Sequence, residues 1–392
     1  MSISQNFPST RPSLNLNFAR SKTLDPRITF TRTSTGTYVD ENGLIKTAPA
    51  NSPRFDHDPV TGESLGLLIE ESRTNLLTYS QDFTQSIWDA PVEGRSRATR
   101  VTSTGIDDPS GGTTAATYKN GGTLADELIW RIAGGGTANV PYTMSVWIRR
   151  RVGTGQIDFV VGDNITVEVT NQVTTEWKRI SVTATPTTTL VRAYILIKGI
   201  NDEIDIWGYQ LEQGSFPTSY IPTSGSTATR TPDNAKIEGS NFSSWFNNNE
   251  FSIFTHHKFP SVPPNYYPRV FDINTGSDAY RLNHYHDPSI YGTKIGCSVV
   301  ENNIVQSAVS TSSYDIGDDL RMASCFKDND FASYVNGALI GTDNTGVFST
   351  TQRTVLYIGS SVNGSSPING TISQLTYYPV RLSNNILQSL TK

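Results

Sequence analysis

The chain has 392 residues, 17% of them charged, with 31 glycines, 20 prolines and a formal net charge of −5. That balance excludes the dense basic surface that nucleic-acid binding needs to neutralise phosphates. The absence of any long Ala/Glu/Lys/Leu-rich stretch argues against a helical fold. No apolar run approaches the ~20 residues of a membrane helix, and the opening MSISQNFPST lacks the basic start and apolar core of a secretory leader.

The length predicts two or three domains. Residues 1–80 are polar and turn-rich, with strand candidates in ITFTRTS and TYVDENGLIKTA. Asn42-Gly43 lies between two extended runs, a hairpin signal because both residues tolerate positive φ. Pro49, Pro53 and Pro59 then interrupt any ladder. His57, between Asp56 and Asp58, reads as a turn residue, and SLGLLIEESRTNLL is either a strand or a short helix.

Residues 81–222 read as strands separated by Gly/Thr turns, including YTMSVWIRR, QIDFVVG, EWKRISVTAT, VRAYILIKG and EIDIWGYQLEQ. Tyr142, Met144, Val146 and Ile148 alternate with Thr143, Ser145, Trp147 and Arg149. Ile204, Ile206 and Gly208 alternate with Asp205, Trp207 and Tyr209. A period of two with one apolar face is that of a half-buried antiparallel strand. Trp147 and Trp207 fall opposite the aliphatic phase, facing either solvent or a second packed layer. Arg149, Arg150 and Arg151 read as a solvated strand end. The stretch SFPTSYIPTSGSTATRTPDN comes next, and its prolines and small polar residues mark a linker.

Residues 235–392 repeat this grammar with EFSIFTHHKF, YPRVFDIN, AYRLNHYH, KIGCSVV, LRMASCFK, DFASYVNGALIGT, TVLYIGS and GTISQLTYYPV. Asn336-Gly337 signals another hairpin. LSNNILQSLTK predicts a short final helix capped by Ser383, with Ile386, Leu387 and Leu390 on one face. Cys297 and Cys325, each inside a strand candidate, read as buried free thiols.

Residues 245–392 resemble a concanavalin A-like or laminin-G-like sandwich in FSIFTHHKF, FASYVNGALIG, VLYIGSS and NGTISQLTYYPVRLSNNILQSL, taken in that order. The middle region resembles the carbohydrate-binding-module-like jelly rolls of phage tail proteins, in YTMSVWIRR, TEWKRISVTAT and IDIWGYQLEQGSFPTSYIPTSGSTATRT. The first region is similar to phage proteins in FTRTSTGTYVDENGLIKTAPANSPRFDHDP and GLLIEESRTNLL. The expectation is an all-β chain of tandem antiparallel sandwiches. It has an N-terminal attachment or oligomerisation segment (1–80), a jelly roll (81–222), a linker (223–234) and a concanavalin A-like sandwich (235–392).

The resemblance implies a tailed-bacteriophage virion component. The first expectation is a tail-fibre or receptor-binding adhesin, and the alternative is a capsid decoration, head fibre or baseplate connector. It also implies partnership with other virion proteins and a homotrimer, though no coiled-coil heptads are present to enforce one. Bond-breaking chemistry is not expected. The chain holds no nucleophile elbow, phosphate loop or zinc motif, and its last region has no strand of paired carboxylates of the kind that flank a glycosidic bond.

Binding is read from fewer residues. Sugar rings stack on aromatic faces while polar groups take their hydroxyls, which singles out Tyr266 and Tyr267, and Tyr285 between His284 and His286, for a host glycan. His284 and His286 share one strand face and form either a polar surface or two metal ligands. His256 and His257 point to opposite faces. Laminin-G-like sandwiches often hold calcium, which makes Asp272, Asn274 and Asp278 candidate oxygen ligands, although an Asx-rich turn explains them equally.

Overall fold

The structure is a computed structural model that describes residues 10–89, 96–122, 127–133, 135–162, 165–259, 267–287, 294–311, 314–315, 317–347 and 351–392. It is all-β, and the chain forms two compact units of which the second interrupts the first in sequence. Residues 1–43, 48–71 and 231–392 make the first, and 44–47 and 72–230 the second. Among the described residues no helix is long and apolar enough to cross a membrane.

The first unit is a sandwich of two antiparallel sheets. One has eight strands, in the order Ala338–Asp343, Phe331–Val335, Asp319–Lys327, Glu250–Lys258, Gly370–Tyr378, Ser64–Ile69 and Phe55–His57, with Leu14–Asn17 also paired to Gly370–Tyr378. The other has seven: Thr29–Thr31, Asn234–Glu238, Val355–Ile358, Arg269–Asn274, Arg281–Asp287, Lys294–Glu301 and Ile304–Thr311. Ile253, Phe326 and Leu375 from the first sheet meet Phe271, Leu282 and Val299 from the second in one core.

The early strands therefore correct the expectation of a separate segment over 1–80. Leu14, Leu16, Phe18, Leu67 and Ile69 are buried in that core, and burying such side chains outweighs any independence their polar neighbours suggest. SLGLLIEESRTNLL is extended, as Ser64–Ile69 and Arg73–Asn75. His57 is no turn residue: it ends a strand, buried, with Nδ1 3.0 Å from the Val39 carbonyl. The Asn42-Gly43 turn forms, with the Gly43 amide donating to the Asp40 carbonyl at φ +76°.

Polar residues fasten the points where the chain leaves and re-enters this unit. The Glu70 amide donates to Asp233 Oδ2 (2.9 Å) and the Asp233 amide to the Glu70 carbonyl (3.0 Å). Arg32 Nη1 reaches Asp233 Oδ1 at 3.0 Å. Arg54 reaches Glu70 Oε2 at 2.7 Å and Asp233 Oδ2 at 2.5 Å. All four side chains are buried.

The second unit is also a sandwich. One sheet runs Lys178–Ala184, Tyr142–Val152, Glu203–Gln213, Ala115–Lys119, Thr99–Ile106. The other runs Ile165–Glu168, Ile157–Gly162, Val191–Ile197, Glu127–Ala133, Ser96–Arg97. Met144, Val146 and Ile148 face Phe159 and Ile195 across the core, as their alternation predicts. In Glu203–Gln213 the alternation shifts. Gly208, at φ +64°, takes up a bulge, and Tyr209 turns inward with Leu211 rather than following Asp205 and Trp207. A Cβ on Gly208 would lie 2.8 Å from the Trp147 ring, so only glycine fits there.

Trp147 and Trp207 pack against a second layer, and that layer is the stretch predicted to be a linker. Tyr220 closes over both rings, at 5.6 and 4.9 Å between centroids. The expected loose 223–234 segment is likewise corrected. Ala228–Arg230 pairs with Arg73–Asn75, and Thr223 and Thr218 hydrogen-bond to Leu77 and Glu212. Buried Gln210 and Glu212 accept the amides of Ile221 and Thr218, doing for this proline-rich backbone what a ladder cannot. The arginine cluster is paired, Arg149 and Arg151 with Asp205 and Arg150 with Asp202.

Asn336 and Gly337 both adopt positive φ between paired strands, and the final helix spans Asn384–Leu390 after Ser383, with Leu387 buried. Cys297 and Cys325 are buried free thiols.

Candidate functional site

The strands Arg269–Asn274 and Arg281–Asp287 carry most of the residues singled out from the sequence, and the structure sorts them onto opposite faces. In Arg281–Asp287 the core-facing phase is set by Leu282, which is fully buried. His284 and His286 share that phase. They do lie on one face, but it is the interior face, so both are corrected as glycan contacts.

Inside, they join a polar seam between the sheets. His284 Nδ1 lies 3.1 Å from Thr255 Oγ1 and its Nε2 2.8 Å from Ser324 Oγ. Ser324 contacts Ser333 at 2.6 Å, and Ser333 contacts Cys297 Sγ at 2.9 Å. His286 Nε2 lies 3.2 Å from His257 Nε2. Burial drives the pKa of His257 and His284 well below the usual imidazole value and that of His286 down to about 3, so these rings are neutral. His256 points the other way, 2.6 Å from Asp319. Among the described residues no three His, Cys, Asp or Glu side chains gather as a metal would require.

The outward face holds the other candidates. A bulge at Val270 and Phe271 places both in the core. Without it, Arg269 and Asp272 would face opposite ways. With it they share the outer face, Arg269 Nε 3.8 Å from Asp272 Oδ2. Tyr285 is the cross-strand partner of Arg269, and its ring lies against Gly296, where a Cβ would come within 3.1 Å. Tyr267 stands edge-on to Tyr285 with centroids 6.2 Å apart, and the Arg269 guanidinium lies 6.0 and 5.8 Å from the two rings. Tyr267 is 50% exposed, the aromatic member of the exposed large apolar side chains among the described residues. Tyr266 lies outside the described residues.

Asp272, Asn274 and Asp278 also come together here, but not as a calcium cage. Asn274 turns its Nδ2 toward Asp272 Oδ1 (3.0 Å) and gives its oxygen to the Gly276 amide (2.8 Å). The Ser361 hydroxyl lies 3.1 Å from Asp272 Oδ2 and 2.6 Å from Asp278 Oδ1. Burial raises the Asp272 pKa to about 6, opposed by Arg269. With the oxygens already engaged and an arginine alongside, this donor set does not fit the cation, which needs six or more free oxygens.

Arg269 is the residue of this face that the sequence did not reveal. In YPRVFDIN a regular alternation sets it opposite Asp272, and nothing in the residue types announces the bulge.

A separate groove on the outside of the eight-stranded sheet is bordered by Glu63, His256, Lys258, Asp319, Arg321 and Gln374. Ala19 and Leu65 also line it, but no Phe, Tyr or Trp does, so the Tyr267–Tyr285 surface is the better fit to a pyranose ring.

No protein-family model matches the chain, and no curated protein does. Several solved structures are distantly similar to part of the chain. The sialidase CBM40 of Ruminococcus gnavus, solved with α2,3-sialyllactose, is 15% identical, with 38% of this chain and 86% of that one covered at a TM-score of 0.34. A Trypanosoma rangeli sialidase in complex with the inhibitor DANA is 16% identical over 40% of this chain and 26% of its own, at a TM-score of 0.31. A heptameric SAP-like pentraxin from Limulus polyphemus is 15% identical over 37% and 70%, at 0.29. Likenesses at these scores carry no argument about this chain.

Proposed function

We propose that the chain is a non-enzymatic glycan-binding protein of a tailed-phage particle, an adhesin that meets host surface sugars through the Tyr267–Tyr285 face. The observation that carries the reading is the pair of tyrosines with a guanidinium against both rings, the outer one half-exposed. Tyr267 offers a flat apolar face to a pyranose, and exposed Asp278, whose Oδ1 takes the Ser361 hydroxyl, keeps Oδ2 for a sugar hydroxyl. The virion setting rests on the phage-like strings FTRTSTGTYVDENGLIKT and GYQLEQGSFPTSYIPTSG. Binding without cleavage is supported by the carboxylates of this face, which hydrogen-bond to their own neighbours.

The test is adsorption of the purified chain to host cells and a glycan array. Tyr267→Ala is expected to lower affinity about five- to thirtyfold, the ~1–2 kcal/mol of one lost stacking contact, with an unchanged melting curve. Equal binding by the variant would remove this face from the reading.

A second reading, a capsid or connector protein that binds other virion chains, draws on the edge strand Ile304–Thr311, which packs beside Ala338–Asp343 at Val309 but leaves Ile304 and Val305 62% and 58% exposed. Immunolabelling of intact particles decides between the two. The same edge supports assembly into a homo-oligomer, for which a trimer is proposed.

A further inference from the structure

Among the described residues, the Tyr267–Tyr285 face carries a charge, on Arg269, whose Nε has no hydrogen-bond partner. The Arg269 side chain is only 11% exposed. Its Nε is buried and unmatched, and among the described residues its side chain makes no hydrogen bond, only the 3.8 Å ion pair with Asp272. Asp272, 3.8 Å away, is too far to accept, and its oxygens face Asn274 and Ser361. An unmatched Nε is shared by Arg54, Arg353 and Arg381 of the same unit, but these place their Nη groups on acceptors. Arg32 and Arg54 donate to Asp233, Arg353 to Glu301, and Arg381 to Asp330.

An arginine keeps its proton at every physiological pH and offers five donors in a planar fork. Holding one between two rings, largely out of water and without an acceptor, is unfavourable unless something brings the acceptor. The tyrosine rings flank the fork, and the group that satisfies it is an anion with two oxygens side by side, as a sugar carboxylate presents.

Building on the proposal that this face binds glycans, we infer that it selects those bearing a carboxylate. The ligand is a uronic or ulosonic acid residue whose carboxylate takes two N–H groups of Arg269 while the sugar ring lies on Tyr267. Neutral sugars make the stacking contact alone. The adjoining Asp278, exposed and within electrostatic reach of Arg269, orients the acid by accepting a ring hydroxyl and repels a ligand that carries its charge on the wrong side.

The test uses the full chain in calorimetric titration. The ligands are oligogalacturonate, the same oligomer with its carboxylates reduced to alcohols, and a sialylated glycan beside its desialylated form. Carboxyl reduction is expected to weaken binding about tenfold or more, the scale of one bidentate charged pair. Arg269→Gln brings the acidic and neutral ligands to equal affinity, and Arg269→Lys restores part of the difference. Should Arg269→Gln fail to fold, salt dependence of the wild type decides: affinity for the acid falls with ionic strength and that for the reduced oligomer does not. Acidic and neutral forms binding equally to the wild type overturn the inference while leaving the glycan reading intact. No binding to any of these sugars, with Tyr267→Ala also silent on the array, overturns both. Which acid binds separates the uronic from the ulosonic source.

Discussion

His257, His284 and His286 are buried and neutral, with folded-state pKa values below the unfolded ~6.5. The unfolded chain therefore binds their protons first as pH falls. Their contribution is complete above about pH 6.5 and is lost below it at about 1.4 kcal/mol per pH unit for each ring. Asp56 and Asp272 act oppositely: burial lifts both to about 6, so the folded state takes their protons first between pH 6 and 4. The three rings outnumber the two acids, so stability is expected to fall as the pH drops below about 6. Urea unfolding compared between about pH 7 and pH 4.5 is expected to show it, with His286→Gln flattening the slope. A flat wild-type profile would contradict the neutral seam.

The arginine lock makes a second residue-scale prediction. Burial alone would lower the Arg54 pKa, but the charges of Asp233 and Glu70 outweigh it and hold the guanidinium above its usual value. Asp233→Ala strips a buried partner from both Arg32 and Arg54 and frees the Glu70 amide. About 3–5 kcal/mol of stability is expected to go with it, read as a drop in urea midpoint at constant slope.

At the scale of elements, most sheet edges are blunted. Phe55–His57 and Thr29–Thr31 have three residues each, Lys178–Ala184 carries Lys178 and Arg179, and Ile165–Glu168 ends in a glutamate. Ile304–Thr311 is eight residues long, IVQSAVST, with no charge, proline or glycine. An edge of that kind is open to another strand. Val305→Lys is expected to raise the concentration at which the chain self-associates in light scattering, without moving its melting temperature. Unchanged self-association would place the oligomer contact elsewhere.

Elements are also where the sequence was most legible. The alternation in YTMSVWIRR, the two Asn-Gly turns and the Ser383 helix were all readable because each depends on neighbours in the chain. Two bulges were not. Gly208 reverses the phase of Tyr209, and the one at Val270–Phe271 brings Arg269 beside Asp272. A bulge is chosen by the partner strand as much as by its own residues. The same limit hid the interior position of His284 and His286. Their shared face was legible, but whether it met solvent depended on Leu282 and on a second sheet that no local pattern encodes.

For the whole molecule, a division into an N-terminal segment, a jelly roll, a linker and a final sandwich gives way to one sandwich interrupted by another. Residues 14–69 look independent because they lie far in sequence from the strands they complete. The exit at Glu70 and the return at Asp233 are hydrogen-bonded to each other. Replacing residues 72–230 by about four Gly/Ser residues, a span that flexible linkers cover easily, is therefore expected to leave the first unit folded. Cooperative thermal unfolding and a β-type dichroism spectrum would check this, and a molten product would mean that the interruption is structurally required.

Inside the second unit, Arg73 and Arg230 are register partners, so that unit's own first and last strands lie side by side. Bringing Glu70 to Asp233 across an unfolded chain of about 160 residues loses roughly 4–5 kcal/mol of loop-closure entropy. Once the intervening sandwich has formed, its two ends are already neighbours and nearly all of that loss has been met. Assembly is therefore ordered from the inside outward, with the guest sandwich acting as the clasp that lets its host nucleate.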